Sequence, residues 1–484
     1  VWCSRSGRCI GGTSSTSRPC IVHRHAQTTS DTVAGQHCSL LGVGCSHESP
    51  VIKSNSRQTQ HLVVTEKKST TSRERARVRA QRNRLFARTF SSLGQSDFRH
   101  LWFGMLALMA ALNIQMLARG YLTWELTKSP IAVVVVGAGF APPILLLSLY
   151  GGSVADRFSR KRIIQLGQLG MLTLTMFVGI SISTETVTVY HLVGVSLLQG
   201  TIWAFLMPAR QAIIGQLVDE EHLTNAVALN ASGMSLMTVA APGIGGLVYG
   251  YGGAALTYYM ISGLTFSALI LMNFVPTMAP VAKGTRHMWG DIKQGLAYTW
   301  YNRTVLVLLL VSLSTALLAM PFRTLLPVQI EEVFKLEVQA LGLLMSMIGV
   351  GALIGSLVIA GLSKNSRRGW VLLITSMLSG VAILLAAATT SYAVAVVIMI
   401  FIGLGDSGRR SLNISLIMEQ TEDEYRGRVM GVYMMNFGLI PLGAIPLGFI
   451  ASFFDVRIAF ALAGGGLLVA AIGYTVLTDK IRKL

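Results

Sequence analysis

The chain has 484 residues, 52% hydrophobic and 13% charged, with a mean hydropathy of +0.57 and a formal net charge of +18. A soluble domain carries about 25% charged residues, so most of this polymer is built for lipid. Residues 1–100 hold 16 Lys/Arg against 5 Asp/Glu, and no basic folded domain with stacking aromatics follows, which argues against nucleic acid as a partner.

Residues 1–90 are rich in Ser, Thr, Arg and His, lack apolar periodicity and have no continuous hydrophobic core of a secretory signal. We read them as a disordered basic leader, and a start assigned too far upstream is the competing explanation, since the first Met is Met105. A working arm on anionic lipid, through Arg73, Arg75, Arg77, Arg79, Arg82 and Arg84, is the functional alternative. All five cysteines lie in the first 45 residues and match no zinc spacing, so neither a disulfide framework nor a metal is expected to support the rest.

From Leu101 onward twelve apolar stretches follow, at roughly 101–123, 131–151, 163–183, 187–208, 226–250, 254–275, 304–326, 338–362, 371–389, 392–412, 429–452 and 457–477. Each is about long enough to cross a bilayer, and each must be helical because unpaired backbone groups in hydrocarbon cost several kcal/mol. Loops on the leader's side hold 17 Lys/Arg and the opposite loops only Lys128, Lys335 and Arg457. That bias predicts a multi-pass protein of the cell membrane with both termini in the cytoplasm.

A shift of 203 or 204 positions brings Arg119 onto Arg323, Arg160 onto Lys364, Asp219–Glu220–Glu221 onto Glu422–Asp423–Glu424, and Pro242 onto Pro446. The expected organisation is therefore an amino-terminal bundle of six helices over 91–275, a cytoplasmic linker over 276–303 with a surface helix in DIKQGLAYTWY, a second bundle over 304–477, and a tail over 478–484.

An ionised group at mid-membrane costs about 2.5–3.5 kcal/mol or more, so it has a task or a partner. Asp406 lies about 14 residues into the tenth stretch, with Arg409 and Arg410 at i+3 and i+4. Two readings are open: a proton-carrying acid, or a permanent ion pair within one helix. Arg119 and Arg323 sit late in the first and seventh stretches, where snorkelling to the headgroups is one reading. Asn113, Gln115, Trp203 and Phe205 could contact a ligand, packing being the alternative for the aromatic pair. Gly349, Gly351 and Gly355 suit close helix contacts and form no nucleotide-binding pattern.

Between the second and third stretches lies GGSVADRFSRKR, with Gly152, Asp156, Arg157, Arg160, Lys161 and Arg162. This segment resembles the signature loop between helices 2 and 3 of major facilitator superfamily transporters. QSDFRHLWFG, WELTKSP, MPARQAIIGQLV and EDEYRGRVMGVY are similar to segments of the bacterial enterobactin, macrolide and multidrug exporters in that superfamily. The resemblance covers about Ser91 to Leu484 and implies an all-α membrane fold of twelve helices in two pseudo-symmetric six-helix bundles. It gives Asp156 a gating role, with Ser159 in place of the usual glycine, and places helices 1, 4, 7 and 10 around a central cavity, where Arg119 and Arg323 would favour an anionic ligand. LLQGTIWAF is similar to a fourth-helix segment whose arginine is Ser196 here. AAPGIGG, with Pro242, Gly243, Gly245 and Gly246, resembles the fifth-helix antiporter motif with Ala241 in place of a glycine. The implied function is secondary active, proton-coupled efflux of a small amphiphilic or anionic molecule by a monomer without cofactors. Uptake of a small solute is the alternative, and a non-transporting receptor or scaffold a second. A membrane enzyme is the remaining rival, and the three histidines after residue 100, with no nucleophile motif, argue against it.

Overall fold

A computed structural model describes residues 91–277, 288–362, 367–422 and 424–478, all within one compact unit. The leader with its cysteines and arginine arm, Lys364, Asp423 and the tail from residue 479 lie outside the described residues.

The described chain is helical. In order the helices are α1 Ser96–Thr127, α2 Pro130–Ala138, α3 Ala141–Arg157, α4 Arg160–Ser183, α5 Val189–Leu217 and α6 Glu220–Asn273. They continue as α7 Met288–Tyr301, α8 Arg303–Ser314, α9 Met320–Thr324, α10 Leu326–Glu332, α11 Val338–Ala360 and α12 Arg368–Ala388. The last four are α13 Tyr392–Gln420, α14 Arg426–Gly438, α15 Ile440–Phe453 and α16 Val456–Leu477. Their starts carry local signals. Ser129 accepts the amide of Ala132 ahead of Pro130, Thr188 and His191 form a capping box, and Asn302 accepts the amides of Thr304 and Val305.

Among the described residues, eleven helical stretches are long and apolar enough to cross a membrane. One of them, His222–Asn273, has 52 residues and would extend about 78 Å as a straight rod, more than twice the hydrocarbon thickness. It folds back at Gly253, whose φ of 77° and ψ of 176° suit a residue without a side chain. The two arms both lie along α1. Trp102 donates to the carbonyl of Leu229, Gly104 lies against Ala268, and Gly245 lies against Ile114. Residues 229 and 268 therefore share one end of the bundle, the stretch counts as two spans, and the fold has twelve.

We call the end where α1 begins at Ser96 proximal and the end where it stops at Thr127 distal. One expectation is corrected, at the end of the second span. The basic segment after the second span is mostly helix: α3 runs to Arg157, α4 starts at Arg160, and only Phe158 and Ser159 connect them. No proline interrupts it, and the amide of Phe158 still bonds the carbonyl of Val154 at 2.9 Å. The seventh span contains a π-helical turn at Thr315–Ala319, and Pro321 and Pro327 then restart helices α9 and α10.

Lipid tails give no hydrophobic drive between helices, so small residues let backbones approach. A β-carbon on Gly246 would stand 2.9 Å from the Cα of Gly342, and one on Gly349 would stand 2.7 Å from the carbonyl oxygen of Thr238. These contacts join α6 to α11, from the distal end to mid-depth. Gly351 and Gly403 bring α11 equally close to α13. Pro242, Gly243 and Gly245 of the expected antiporter-like motif sit on the same helix α6, with Gly243 against Ser346.

Candidate functional site

Helices α8, α13 and α14, with the π-helical turn, line a partly open cavity of about 30 Å³. The π turn brings Thr315 and Ala316 to its wall, and α13 contributes Asp406, Arg409, Arg410 and Asn413. Asp406 is the hub. Its Oδ1 accepts from Arg409 at 2.7 Å, and its Oδ2 accepts from Arg323 at 2.9 Å and from Arg410 at 3.4 Å. The i+3 and i+4 spacing puts Arg409 and Arg410 on the acid's own face. Arg323 arrives from α9, 83 positions away, a partner that the sequence does not announce.

The three arginines differ. The Arg409 side chain is 2% exposed, that of Arg323 is 20% and that of Arg410 is 49%. Arg409 also keeps Nε and Nη1 without partners, and Asn436 Nδ2 in the cavity wall is likewise unpaired. One carboxylate among three guanidinium groups leaves surplus positive charge and unused donors. An acceptor-bearing, anionic group is what such a wall can satisfy.

The equivalent arginine of the first span is placed differently. Arg119 is buried, and its Nη1 donates to Ser196 Oγ at 3.2 Å and to Gln199 Oε1 at 3.0 Å. It neither snorkels nor lines the cavity above. Ser196 in turn donates to the carbonyl of Val136 at 2.7 Å. The position where the fourth-helix segment of the family has arginine thus holds a hydroxyl that receives an arginine from α1. Gln115 is buried with Nε2 unpaired, Asn113 donates to its own helix at Met109, and Trp203 is half-buried on α5.

In the signature segment, Arg160 donates to the carbonyl of Ala212 at 2.9 Å and Lys161 to that of Asn273 at 2.9 Å, while Arg162 is exposed. Lys161 thus caps the proximal end of α6, as basic groups do at helix C-termini, and Arg160 ties α4 to α5 five residues before α5 ends. Gly152, Asp156 and Arg157 fall on the last turns of α3, and their side chains lie outside the described set.

A cluster absent from the sequence reading stands at the distal end. Glu331 of α10 accepts from Lys128 at 2.6 Å, from the indole N–H of Trp124, and from Tyr121 at 3.5 Å, all three next to or on α1. Glu125 accepts from Tyr249 of α6 beside it. Burial pushes the Glu331 carboxyl up, but its bonds from Lys128 and Trp124 outweigh this and hold it below the usual range. Lys128, late in WELTKSP, reads from sequence only as a loop charge, and nothing local marks Glu331 as its partner.

The chain belongs to the transmembrane secretion effector family of major facilitator transporters, whose model matches residues 87–483. It is similar to the staphyloferrin A transporter of Staphylococcus aureus, 24% identical over 344 residues that cover 70% of this chain and 86% of that protein. It is likewise similar to the enterobactin exporter EntS of Escherichia coli, 25% identical over 384 residues, 78% of this chain and 89% of the relative. Among solved structures, a mutant form of nucleoside transporter NupG superposes with a TM-score of 0.68 at 14% identity, covering 79% of this chain and 100% of that one. An inward-facing bacterial homologue of the lysosomal transporter Spinster superposes with a TM-score of 0.60 at 15% identity, covering 79% of this chain and 96% of that one. The protein is thus a multi-pass membrane transporter with the major facilitator fold.

Proposed function

We propose that the protein exports a small anionic or amphiphilic molecule of the siderophore or drug type across the cell membrane by alternating access, without enzymatic chemistry. The observation that carries this reading is the single acid among three arginines, beside unused donors, on the wall of a cavity. The relatives named as a staphyloferrin A transporter and an enterobactin exporter favour the same class of cargo. The proximal end is taken as cytoplasmic from the asymmetry of the loops. Close contacts between the first six and last six spans lie at the distal end, and they favour loading from the cytoplasmic side as the proposed direction. Arg410, the most exposed and most loosely held of the three, is the group assigned to the cargo.

Protons are the proposed coupling ion and a monomer the proposed unit. Three guanidinium groups around Asp406 favour a standing ion network over a proton carrier at that position, because a proton there would weaken three charge-assisted bonds. The test is accumulation of labelled enterobactin and of a neutral drug in inverted vesicles under an imposed pH gradient. Export of the anion, with Arg410→Gln raising its half-saturation concentration about tenfold, the worth of one charge-assisted bond, is the expected result. An unchanged preference between the two cargoes would end the anion reading.

A further inference from the structure

Beyond the cargo chamber, we infer that Glu331 is the latch that closes the distal end, and that it acts by positioning α10 against Trp124 and Lys128. Three donors of different kinds converge on one carboxylate: an ammonium, an indole N–H and a phenol hydroxyl. All three come from α1 or the residue after it, while the acceptor belongs to the seventh span's extension 203 to 210 positions later. The bonds therefore run between the first six spans and the last six, across the gap that alternating access has to open.

Three further observations bear on this corner, one of them, a left-handed residue at a helix end, shared with Glu185 and Lys335. Trp124 is 3% exposed, so parting α10 from α1 would strand a buried donor. Lys128 adopts φ 47°, the left-handed region that disfavours a lysine, while its amide bonds the carbonyl of Trp124 at 2.8 Å. That strained turn ends α1 at the residue whose ammonium meets Glu331, and strain of this kind persists where surrounding contacts over-determine it. The same face is closed around the latch by smaller contacts: Pro327 lies against Gly120, and the amide of Ile131 donates to Ser452 Oγ at 3.3 Å.

An exposed Lys–Glu pair alone contributes little. Here the acid also meets an indole and a phenol, so its removal is expected to release more than the ion pair. Titration does not open the latch near neutrality. The groups facing Glu331 are Lys128, Tyr121, Trp124 and Glu125 from α1 and its end, with Glu332 on its own helix; Glu337 acts on Tyr121. The opening stimulus is rearrangement of the spans when the chamber fills, not a proton arriving at this acid.

The test uses the full chain with its five cysteines replaced by serine and spin labels at Tyr190 and Phe454, exposed positions at distal ends of the two sets of spans. Parent protein should give a single short distance by pulsed electron resonance. Glu331→Gln keeps an acceptor for Trp124 and loses the charge, and should raise a longer-distance population about tenfold, the loss of one charge-assisted bond. Lys128→Gln should do so less, and the double variant should move no further than Glu331→Gln alone. An unchanged distance in Glu331→Gln, or effects of the two variants that simply add, would overturn the latch. The thermal unfolding midpoint of each variant, unchanged if the effect is positional, separates latch loss from misfolding. Either outcome leaves the cargo reading of the chamber standing, since that is read from transport.

Discussion

Arg119 and Arg323 occupy matching places in the first and seventh spans and have opposite surroundings. Arg323 meets a carboxylate and shares it with Arg409 and Arg410 beside a cavity. Arg119 meets only the neutral oxygens of Ser196 and Gln199, and no ion pair to it exists among the described residues. The repeat places the same cation twice, and only the second set of spans sets an acid opposite it. A buried cation without an acid is costly, whereas a network of three cations and one acid is fragile when the acid is lost. The two sites therefore differ in what a single substitution does.

The sharpest way to break this comparison is Asp406→Asn. It leaves three guanidinium groups facing one another and should destabilise the protein by about 3–5 kcal/mol, read as a fall in the unfolding midpoint and in folded yield. Arg119→Gln should be close to neutral or mildly stabilising in the same assay, because it removes an uncompensated charge and leaves partners that bond an amide equally well. A fall for Arg119→Gln as large as that for Asp406→Asn would show that the two arginines are equivalent after all.

Helix contact gives the next effect in size. Any β-carbon added to Gly351 would collide with the Ile400 backbone. Gly351→Val should cost about 1–3 kcal/mol by overpacking, seen as a lower midpoint. Gly194 has open space at its β-carbon position, so Gly194→Ala should leave the midpoint within the error of the measurement and serves as the control.

The smallest expected effect concerns acidity at the distal end. Glu331 has its carboxyl lowered in the folded protein, so its contribution is complete above the ordinary carboxylate value and is lost as pH falls through the depressed one. The label distance between Tyr190 and Phe454 should therefore hold steady between about pH 6 and 8, well above the usual glutamate value. A distance that lengthened within that window would make the corner a pH switch instead of a fixed latch.

The spans were legible because one physical length sets them. A bilayer demands about 20 apolar residues and an internally bonded backbone, and the apolar stretches from Leu101 onward meet both conditions without reference to any partner. Their boundaries were less legible. The basic segment around Asp156 reads as a loop by charge, yet nothing in it stops a helix before Phe158. The hairpin at Gly253 was readable as two spans because no single helix of that length fits a membrane.

Arg409 and Arg410 were readable beside Asp406 because helical periodicity is a local rule. Arg323 was not, since its meeting with Asp406 depends on how the seventh span, with its π turn, lies against the tenth. Glu331 was invisible for the same reason, its three donors lying 203 to 210 positions away on the other set of spans. The sequence by itself determined twelve apolar spans, their repeat and the family they belong to, because hydrophobic length and local periodicity are written residue by residue. Only the tertiary structure decided which arginine found an acid, which was left with neutral partners, and where the distal ends are tied. Those outcomes turn on the packing angle and depth of whole helices, which no local spacing encodes.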